Sequence, residues 1–375
     1  MKILVIPTTD WTGHPVPNRL NFVFDRLAST HHVDVCHFRL FNKAVRDTNC
    51  NLIEMDDRSI PDVRTYYIKR FLQHSKKISD ISNNYDLILS SNILPGLTAS
   101  IQDTRVIVDY MDLYSESAAS YFSSPLDHIV KNVVSLICDL NMESASGIIT
   151  PTDRFKEYLN KRVTAPVEVI PNGVDTKVMR PVRSDIQERY DLGYPVLGYV
   201  GSLESWIALD DIFSMFPDVL KKYPEASLLI VGGALHTGYD RYLKEKADEY
   251  NITDRVTFTG NLPYKDLAPY ISAMDVGLNP RKPWNMNTFT MGSKVLNCLA
   301  CGVPVLSTNM PVAEELFGEE KGVYRYHGKD EFLEKLGLAM ENKVDAAAVK
   351  DYDWDVIADK YGEVITRFLR SSTDG

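Results

Sequence analysis

The sequence predicts an α/β protein of two doubly wound domains in tandem. Short apolar, β-branched runs alternate with longer amphipathic stretches, which is typical of parallel strands joined by helices. A length of 375 residues exceeds what one hydrophobic core usually holds and suits two domains of similar size. Each half of the chain contains about six of these runs, so we expect one such sheet in each half.

The predicted elements follow from these runs in chain order. Strands are predicted at residues 3–6, 33–38, 87–89, 106–108, 148–150 and 167–170 of the first half, and at 196–200, 227–231, 256–258, 276–278, 303–306 and 322–324 of the second. Helices are predicted at 294–301, 329–340 and 354–369, the last of them amphipathic. Prolines and glycines interrupt the apolar pattern in 171–195. We therefore expect a first domain of residues 1–178 with the terminal helix 356–372, and a second of 179–355.

Composition excludes several classes of protein. The net charge of −10 argues against nucleic acid as a partner, because phosphate binding requires clustered basic residues. No apolar run is long enough for a transmembrane helix, and the N-terminus does not have the form of a signal peptide. Five scattered cysteines form no disulfide framework, so the predicted location is the cytoplasm.

The segment 64–78, RTYYIKRFLQHSKKI, combines basic and aromatic side chains. A basic, aromatic helix could lie on an anionic membrane surface, which predicts a peripheral contact with the membrane. The alternative is a solvated helix face with its tyrosines and phenylalanine buried. The sequence leaves both interpretations open.

Ligands of open α/β sheets bind at the carboxyl ends of the strands, so the loops that follow strands are the candidate sites. In the loop of residues 8–21, Gly13 allows a close approach of the backbone to a ligand, and the next helix offers free N–H groups. A plain surface turn is the alternative. The loop has no G-x-G-x-x-G pattern, which argues against an NAD-dependent oxidoreductase.

Two carboxylates, Asp109 and Asp112, directly follow the strand predicted at 106–108. A carboxylate at this position could act on a bound hydroxyl group, so both are candidate catalytic residues. Alternatively, one of them caps the next helix or solvates the loop. The sequence near them contains no histidine, and two carboxylates three residues apart are a weak indication of a metal ion, so we expect no metal site there.

The loop and helix of residues 279–305 contain the largest set of candidate ligands. Gly292 and Ser293 precede the predicted helix, and Lys294 lies in its first turn. Free N–H groups and the helix dipole make such an N-terminus an anion site, and Arg281 could add charge-assisted hydrogen bonds. Cys298 and Cys301 lie inside the helix without a second cysteine pair, so they indicate buried thiols rather than zinc ligands.

A glycine turn follows the strand predicted at 196–200. Gly201 ends that strand, and the hydroxyl of Ser202 could donate to a phosphate. The alternative is a tight turn packed on a core tryptophan, Trp206. That alternative explains the glycine but not the hydroxyl beside it.

Several segments, in the same order along the chain, resemble family-4 retaining glycosyltransferases, also described as glycosyl transferases group 1. The segment 167–181, VEVIPNGVDTKVMRP, resembles the signature between the two domains of that family. The segments YVGSLESW at 199–206, LLIVGG at 228–233 and VTFTGNLPYKDLAPYISAMDVGLNPR at 256–281 resemble its nucleotide-binding core. SKVLNCLACGVPVLSTN at 293–309 is similar to its K-x-x-E-Y-L-A-x-G-x-P-V stretch, and VDYMDLY at 108–114 to a subgroup with D-x-x-D.

The resemblance implies a GT-B fold, in which two Rossmann-like domains face a cleft and the C-terminal helix crosses back to the first domain. It also implies a metal-independent, retaining hexosyltransferase without a cofactor, which uses a nucleotide-diphosphate sugar and a glycan or lipid-linked acceptor in surface polysaccharide or glycoconjugate biosynthesis. The loops and the resemblance together predict the catalytic residues Asp109, Asp112 and Lys294 and the donor-binding residues Gly13, Gly201, Ser202, Gly232, Gly260, Asn261, Leu262, Arg281, Thr290, Met291, Gly292, Ser293 and Asn297.

The sequence departs from the family at several anchors of the donor. No arginine follows Gly201, and Phe289 and Asn297 stand where the family has a pair of glutamates. Asp109 stands where the family often has a catalytic histidine. We therefore predict a donor site with substituted ligands, in which Arg281, Lys294 and backbone N–H groups meet the phosphates. The alternative is a degenerate, non-catalytic protein that acts as a nucleotide-sugar-binding or partner subunit.

Overall fold

The computed structural model describes residues 1–41, 43–56, 63–234, 238–289, 292–312, 317–342 and 344–371. The chain divides into two compact units, Met1–Asn172 with Trp354–Gly375, and Gly173–Asp353. The boundaries between the units, after Asn172 and after Asp353, come a few residues before the expected ones. The reason is that Val174 belongs to the second unit: its N–H donates to the carbonyl oxygen of Tyr352, and it pairs with Asp353 in a parallel bridge.

Strands and helices alternate along most of the chain. The strands are β1 Lys2–Ile6, β2 His32–His37, β3 Asn51–Glu54, β4 Leu87–Ser90, β5 Val106–Asp109, β6 Gly147–Thr150, β7 Val167–Val169, β8 Val196–Val200, β9 Ser227–Val231, β10 Val256–Gly260, β11 Val276–Asn279, β12 Val305–Thr308 and β13 Val323–Tyr326. The helices are α1 Arg19–Leu27, α2 Val63–Ser82, α3 Ile93–Ala99, α4 Tyr114–Ala119, α5 Leu126–Glu143, α6 Asp153–Asn160, α7 Ile186–Arg189, α8 Leu209–Lys222, α9 Tyr239–Glu249, α10 Leu267–Ser272, α11 Ser293–Ala300, α12 Gly328–Glu341 and α13 Trp354–Ser371.

The first unit contains a parallel sheet with the strand order β3-β2-β1-β4-β5-β6-β7. The sequence predicted every strand of this sheet except β3. That strand is a four-residue edge strand, NLIE, with an asparagine and a glutamate at its ends and no fully buried residue. It therefore lacks the apolar run by which the other strands are recognised.

Helices cover both faces of the first sheet. On one face α1 packs against α13, where Phe22 stacks on Trp354 with ring centroids 4.9 Å apart and Phe24 meets Tyr361 edge to face. The C-terminal helix thus belongs to the first unit, as expected. On the other face α3 contacts both α2 and α5.

The second unit contains a parallel sheet with the strand order β10-β9-β8-β11-β12-β13. One hydrophobic core lies on each face of this sheet, and α11 and α8 contribute to opposite cores. The doubly wound α/β architecture predicted for each half is therefore confirmed. Among the described helices, none combines the length and the hydropathy that crossing a bilayer requires.

Candidate active site

The glycine turn after β8 is built by two backbones in direct contact. Gly201 has a φ of +146° and donates its N–H to the carbonyl oxygen of Val231 at 2.9 Å. Gly232, at the end of β9, has a φ of +139°, and a Cβ atom there would lie 1.9 Å from the carbonyl oxygen of Gly201. Both positions therefore require glycine. Because Gly232 has no side chain, the backbone of the Gly201 turn can pack directly against it.

Tyr199 connects this turn to the first turn of α11. Its side chain is fully buried in β8, and its hydroxyl donates to the carbonyl oxygen of Ser202 at 2.8 Å. The same hydroxyl accepts from Lys294 Nζ at 2.8 Å, and Nζ lies 4.6 Å from the centre of the tyrosine ring. A tyrosine in an apolar strand predicts a core residue, so sequence reasoning missed this contact.

Arg281 reaches the same place from the end of β11. Its backbone N–H donates to Thr308 Oγ1, and its Nη1 donates to Asn287 Oδ1 at 3.1 Å. The Asn287 amide in turn donates to the carbonyl oxygens of Trp206 and Lys282, so its orientation is determined from two sides. A Cβ atom on Gly292 would lie 2.6 Å from Arg281 Nη2. The guanidinium therefore lies against the backbone where α11 begins.

The electrostatics of this site disfavour a charged lysine. Burial first, and then the nearby charge of Arg281, lowers the pKa of Lys294 to about 7. In the part of the chain that the structure describes, no carboxylate is among the groups that shift the pKa of Lys294. Burial raises the pKa of the Tyr199 hydroxyl; the charge of Arg281 opposes that shift, and the buried carboxylate of Glu204 adds to it. A bound anion would stabilise both cations at once.

Of the other predicted residues of the second unit, Gly232 and Gly260 adjoin the Gly201 turn. The Gly232 N–H donates to the carbonyl oxygen of Gly260 at 3.0 Å, which joins the ends of β9 and β10. Asn261 is exposed and lies beside Gly233, whereas Leu262 packs on the core. Asn297, which is 6% exposed, has an Oδ1 atom without a hydrogen-bond partner among the described residues.

Not all predicted residues join the cluster. Ser293 is exposed at the first position of α11. Thr290 and Met291 lie outside the described residues. The residues that the structure brings together are Tyr199, Gly201, Ser202, Arg281, Gly292 and Lys294.

In the first unit, Gly13 lies in the loop between β1 and α1. Its N–H donates to Asp10 Oδ1 at 2.7 Å, and a Cβ atom on it would lie 2.5 Å from Asp10 Oδ2. The same carboxylate accepts from the N–H groups of Leu40 and Phe41. This geometry matches the interpretation of Gly13 as a turn residue, and its role toward a donor stays a prediction.

Asp109 and Asp112 occupy different environments. Asp109 has no exposed surface, and its Oδ2 lies 3.3 Å from Nε of the buried Arg19 at the start of α1. The guanidinium of Arg19 lies 5.6 Å from the ring centre of Tyr361 in α13. Burial raises the pKa of Asp109, and Arg19 and Tyr361 oppose that shift. Asp112 is exposed just before α4, and the catalytic role of both stays a prediction.

The basic, aromatic segment 64–78 falls within α2. Tyr66 is fully buried against Phe38, so the aromatic side chains of this helix include a core residue. The exposed side of α2 instead presents two aliphatic side chains, Ile68 and Leu72, beside Lys69 and Lys76. The membrane contact predicted for 64–78 stays a prediction, with these side chains rather than Tyr66 facing outward.

Comparison with known proteins finds a family match within the second unit. Residues 194–342 match the family described as Glycosyl transferases group 1. The GDP-mannose-dependent alpha-(1-6)-phosphatidylinositol monomannoside mannosyltransferase of Mycobacterium tuberculosis is 30% identical over 163 residues, which are 42% of this chain and 42% of that protein. The chain therefore spans about two fifths of the length of that relative.

Solved glycosyltransferase structures share the fold over almost the whole chain. Sucrose-phosphate synthase of Thermosynechococcus elongatus superimposes with a TM-score of 0.76 at 18% identity, covering 99% of each chain. Anabaena HepE in complex with UDP-glucose superimposes with a TM-score of 0.71 at 16% identity, covering 98% of this chain and 100% of that one. The GT-B fold class expected from the sequence is thereby confirmed.

Proposed function

We propose that this chain, whose residues 194–342 match the group 1 glycosyl transferases, moves a sugar from a nucleotide-diphosphate sugar to a glycan or lipid-linked acceptor. The observation that carries the proposal is the pair of cations, Lys294 and Arg281, beside the Gly201 turn at the N-terminus of α11. The retaining outcome and metal independence are part of the proposal and come from the family resemblance. A location at the cytoplasmic face of a membrane is also part of the proposal, and it comes from the cysteine usage and from the basic, aromatic segment 64–78.

The chemistry of transfer explains why such a pair is useful. When the bond between the anomeric carbon and the diphosphate breaks, negative charge develops on the leaving phosphate oxygen. Cations and backbone N–H groups directed at that oxygen stabilise the transition state, and one such donor is worth about 3 kcal/mol. In our proposal Lys294, Arg281 and the N–H groups of Gly292 and Ser293 supply this stabilisation.

The nucleoside part of the donor is proposed to lie at the ends of β9 and β10. Gly260, Asn261 and Leu262 would meet the base, and the partly unsatisfied amide of Asn297 would accept a hydrogen bond from a ribose hydroxyl. The mannosyltransferase relative is named for GDP-mannose and phosphatidylinositol monomannoside, and HepE was solved with UDP-glucose. These names support a hexose donor and are consistent with a lipid-linked acceptor.

A second candidate function is a nucleotide-sugar-binding subunit without catalysis. The observation that favours it is the replacement of the family's two glutamates by Phe289 and Asn297, together with the absence of an arginine after Gly201. Both candidate functions require Lys294 and Arg281 for binding, so only a measurement of turnover distinguishes the enzyme from the non-catalytic subunit.

Replacing Lys294 by alanine tests the proposal. We expect nucleotide sugars to bind to the unaltered protein, and we expect Lys294→Ala to lower transfer and slow donor hydrolysis by about 100-fold, because one charge-assisted donor is lost. The measurements are calorimetric screening of nucleotide sugars, followed by product analysis. Lys350→Ala, which removes an exposed lysine of the same unit, is the matched control.

Each outcome has a defined meaning. Binding without turnover in the unaltered protein favours the non-catalytic subunit. Unchanged turnover in Lys294→Ala contradicts the role of Lys294. If no nucleotide sugar binds, the donor site itself is wrong.

A further inference from the structure

Helix α5 presents an apolar stripe to solvent. Of its 18 residues only Cys138, Asn141 and Met142, near the C-terminal end, are buried. Five large aliphatic side chains, spaced three or four residues apart, are 45–60% exposed: Leu126, Ile129, Val133, Leu136 and Leu140. At that spacing they line one side of the helix. Scattered exposed aliphatic residues are normal, but a contiguous stripe of this length indicates an interaction site.

The stripe continues onto neighbouring elements. Phe122, in the turn before α5, is 38% exposed, and Ile101, after α3, is 77% exposed. Ile68 and Leu72 on α2 are 68% and 80% exposed. We call the outward sides of α5 and α2, with Phe122 and Ile101, the apolar face.

The topology places these elements in one layer. Helices α2, α3 and α5 connect β3 to β4, β4 to β5 and β5 to β6, all in the same direction across the sheet. Right-handed crossovers then place all three on the same side, opposite to α1. The contacts of α3 with both α2 and α5 agree with this placement. The apolar face is therefore the outer surface of one helical layer.

The charges at this surface are mainly basic on α2, where one acidic side chain, Asp80, is also exposed near the C-terminal end. Lys69 and Lys76 are exposed beside Ile68 and Leu72, whereas Arg70 pairs with Asp56 and Lys77 donates to the carbonyl oxygen of Glu54. On α5 the five residues of the stripe are uncharged, and the exposed Glu143 follows Leu140 at the C-terminal end of the helix. Aliphatic side chains bordered by lysines complement a bilayer with anionic headgroups.

We propose that the apolar face docks on the surface of an anionic lipid bilayer, with α5 lying along the interface. A planar partner covers α5, Phe122, Ile101 and the outward side of α2 together. A second copy that paired along the α5 stripe would leave Ile68 and Leu72 in water. The docking extends the proposed function, on which its use for reaching a lipid-linked acceptor rests, and it goes beyond the contact predicted for 64–78 by assigning the main contact to α5.

Vesicle flotation of the full chain tests this surface. The probes are vesicles of phosphatidylcholine alone and of equal parts phosphatidylcholine and phosphatidylglycerol. We expect the unaltered protein to float with the anionic vesicles, and the double variant Val133→Gln/Leu136→Gln to partition at least about tenfold less, because two aliphatic side chains no longer enter the interface. We expect Lys69→Glu/Lys76→Glu to weaken binding to the anionic vesicles only.

Val356→Gln is the matched control, because Val356 is 38% exposed on α13, which packs with α1 on the other side of the sheet. Urea unfolding curves of all variants should coincide with that of the unaltered protein, since every altered side chain is exposed. The proposal is overturned if the double variant partitions onto anionic vesicles as strongly as the unaltered protein. It is also overturned if the unaltered protein binds neither kind of vesicle. A dimer in light scattering that the double variant converts to a monomer, without vesicle binding, also overturns it in favour of self-association.

The same variants separate this proposal from the proposed function. We expect the double variant to retain calorimetric binding of the nucleotide, because α5 lies in the first unit and the cation pair in the second. Lost vesicle binding with retained nucleotide binding supports the docking surface alone. Vesicle binding without any nucleotide binding contradicts the donor site and leaves the docking surface in place.

Discussion

The side chain of Lys294 is held by a neutral partner. Its ammonium donates to the Tyr199 hydroxyl and lies over the tyrosine ring, while burial and the charge of Arg281 both disfavour its protonation. A lysine whose only purpose was structural would be better stabilised by a carboxylate. The arrangement therefore fits a site in which the ligand supplies the negative charge that pairs with Lys294.

The pH dependence of donor binding tests this environment. Because the pKa of Lys294 is lowered to about 7, we expect nucleoside diphosphate affinity to be high below pH 7 and to fall as the pH rises through that value. Tyr199→Phe keeps the ring but removes the hydroxyl that accepts from Nζ, so the pKa of Lys294 should drop and the fall in affinity should move to lower pH. Calorimetric titrations on both sides of pH 7 measure this. Coinciding profiles for the two proteins would show that the hydroxyl does not control the amine.

The roles of Asp109 can be separated by stability and turnover. We expect Asp109→Ala to lower the free energy of unfolding by about 3–5 kcal/mol, because Arg19 is left as an uncompensated buried charge. The double variant Arg19→Met/Asp109→Leu should recover most of that loss in urea titrations. Its turnover then decides the function of the carboxylate: recovered transfer identifies Asp109 as structural, and absent transfer in a stable protein supports the catalytic prediction.

At the scale of elements, the site depends on where parallel strands end. The turn after β8 and the end of β9 approach so closely that both need glycine, and β11 delivers Arg281 to the N-terminus of α11. The sequence predicted β8, β9 and β11 and the start of α11, because their apolar runs and glycines are local signals. The hydrogen bonds from Arg281 to Asn287 and from Lys294 to Tyr199 join residues whose proximity no local pattern reveals.

Gly232→Ala tests the contact between the two strand ends. The new Cβ atom would lie 1.9 Å from the Gly201 carbonyl oxygen at a φ of +139°, so we expect a loss of at least about 3 kcal/mol in the free energy of unfolding and weaker nucleotide binding. Gly328→Ala is the control, because its φ is +68° and no atom lies within 4 Å of the new Cβ. That variant should lose only about 1 kcal/mol. Similar losses in both would mean that the close approach is unimportant.

At the scale of the whole molecule, the chain leaves its first unit at residue 172 and re-enters it at Trp354. The first core includes Ile357, Tyr361 and Ile365 of α13, whereas the second unit has cores of its own. The C-terminal helix is therefore part of the core of the first unit.

Tyr361→Ala is expected to act on the first unit alone. Tyr361 is fully buried against Phe24, so truncation should destabilise that unit by about 3–5 kcal/mol. Hydrogen exchange should accelerate in β1, β4 and β5 and stay unchanged in β8, β9 and β11. Lys360→Ala, the exposed neighbour, should change neither set of strands. Acceleration in both sheets would show that the two units unfold together.

The sequence by itself determined the fold class, the strands with continuous apolar runs, the amphipathic C-terminal helix and the glycines that surround the candidate donor site. These features arise from local periodicity and from backbone conformations that only certain residues adopt. The tertiary structure decided which of the candidate residues meet. It paired Asp109 with Arg19, placed Tyr199 between Lys294 and the Gly201 turn, and left the aliphatic side of α5 uncovered. Such outcomes depend on contacts between segments far apart in the chain, because whether a helix's apolar side is buried or exposed is determined by its neighbours and not by its own sequence.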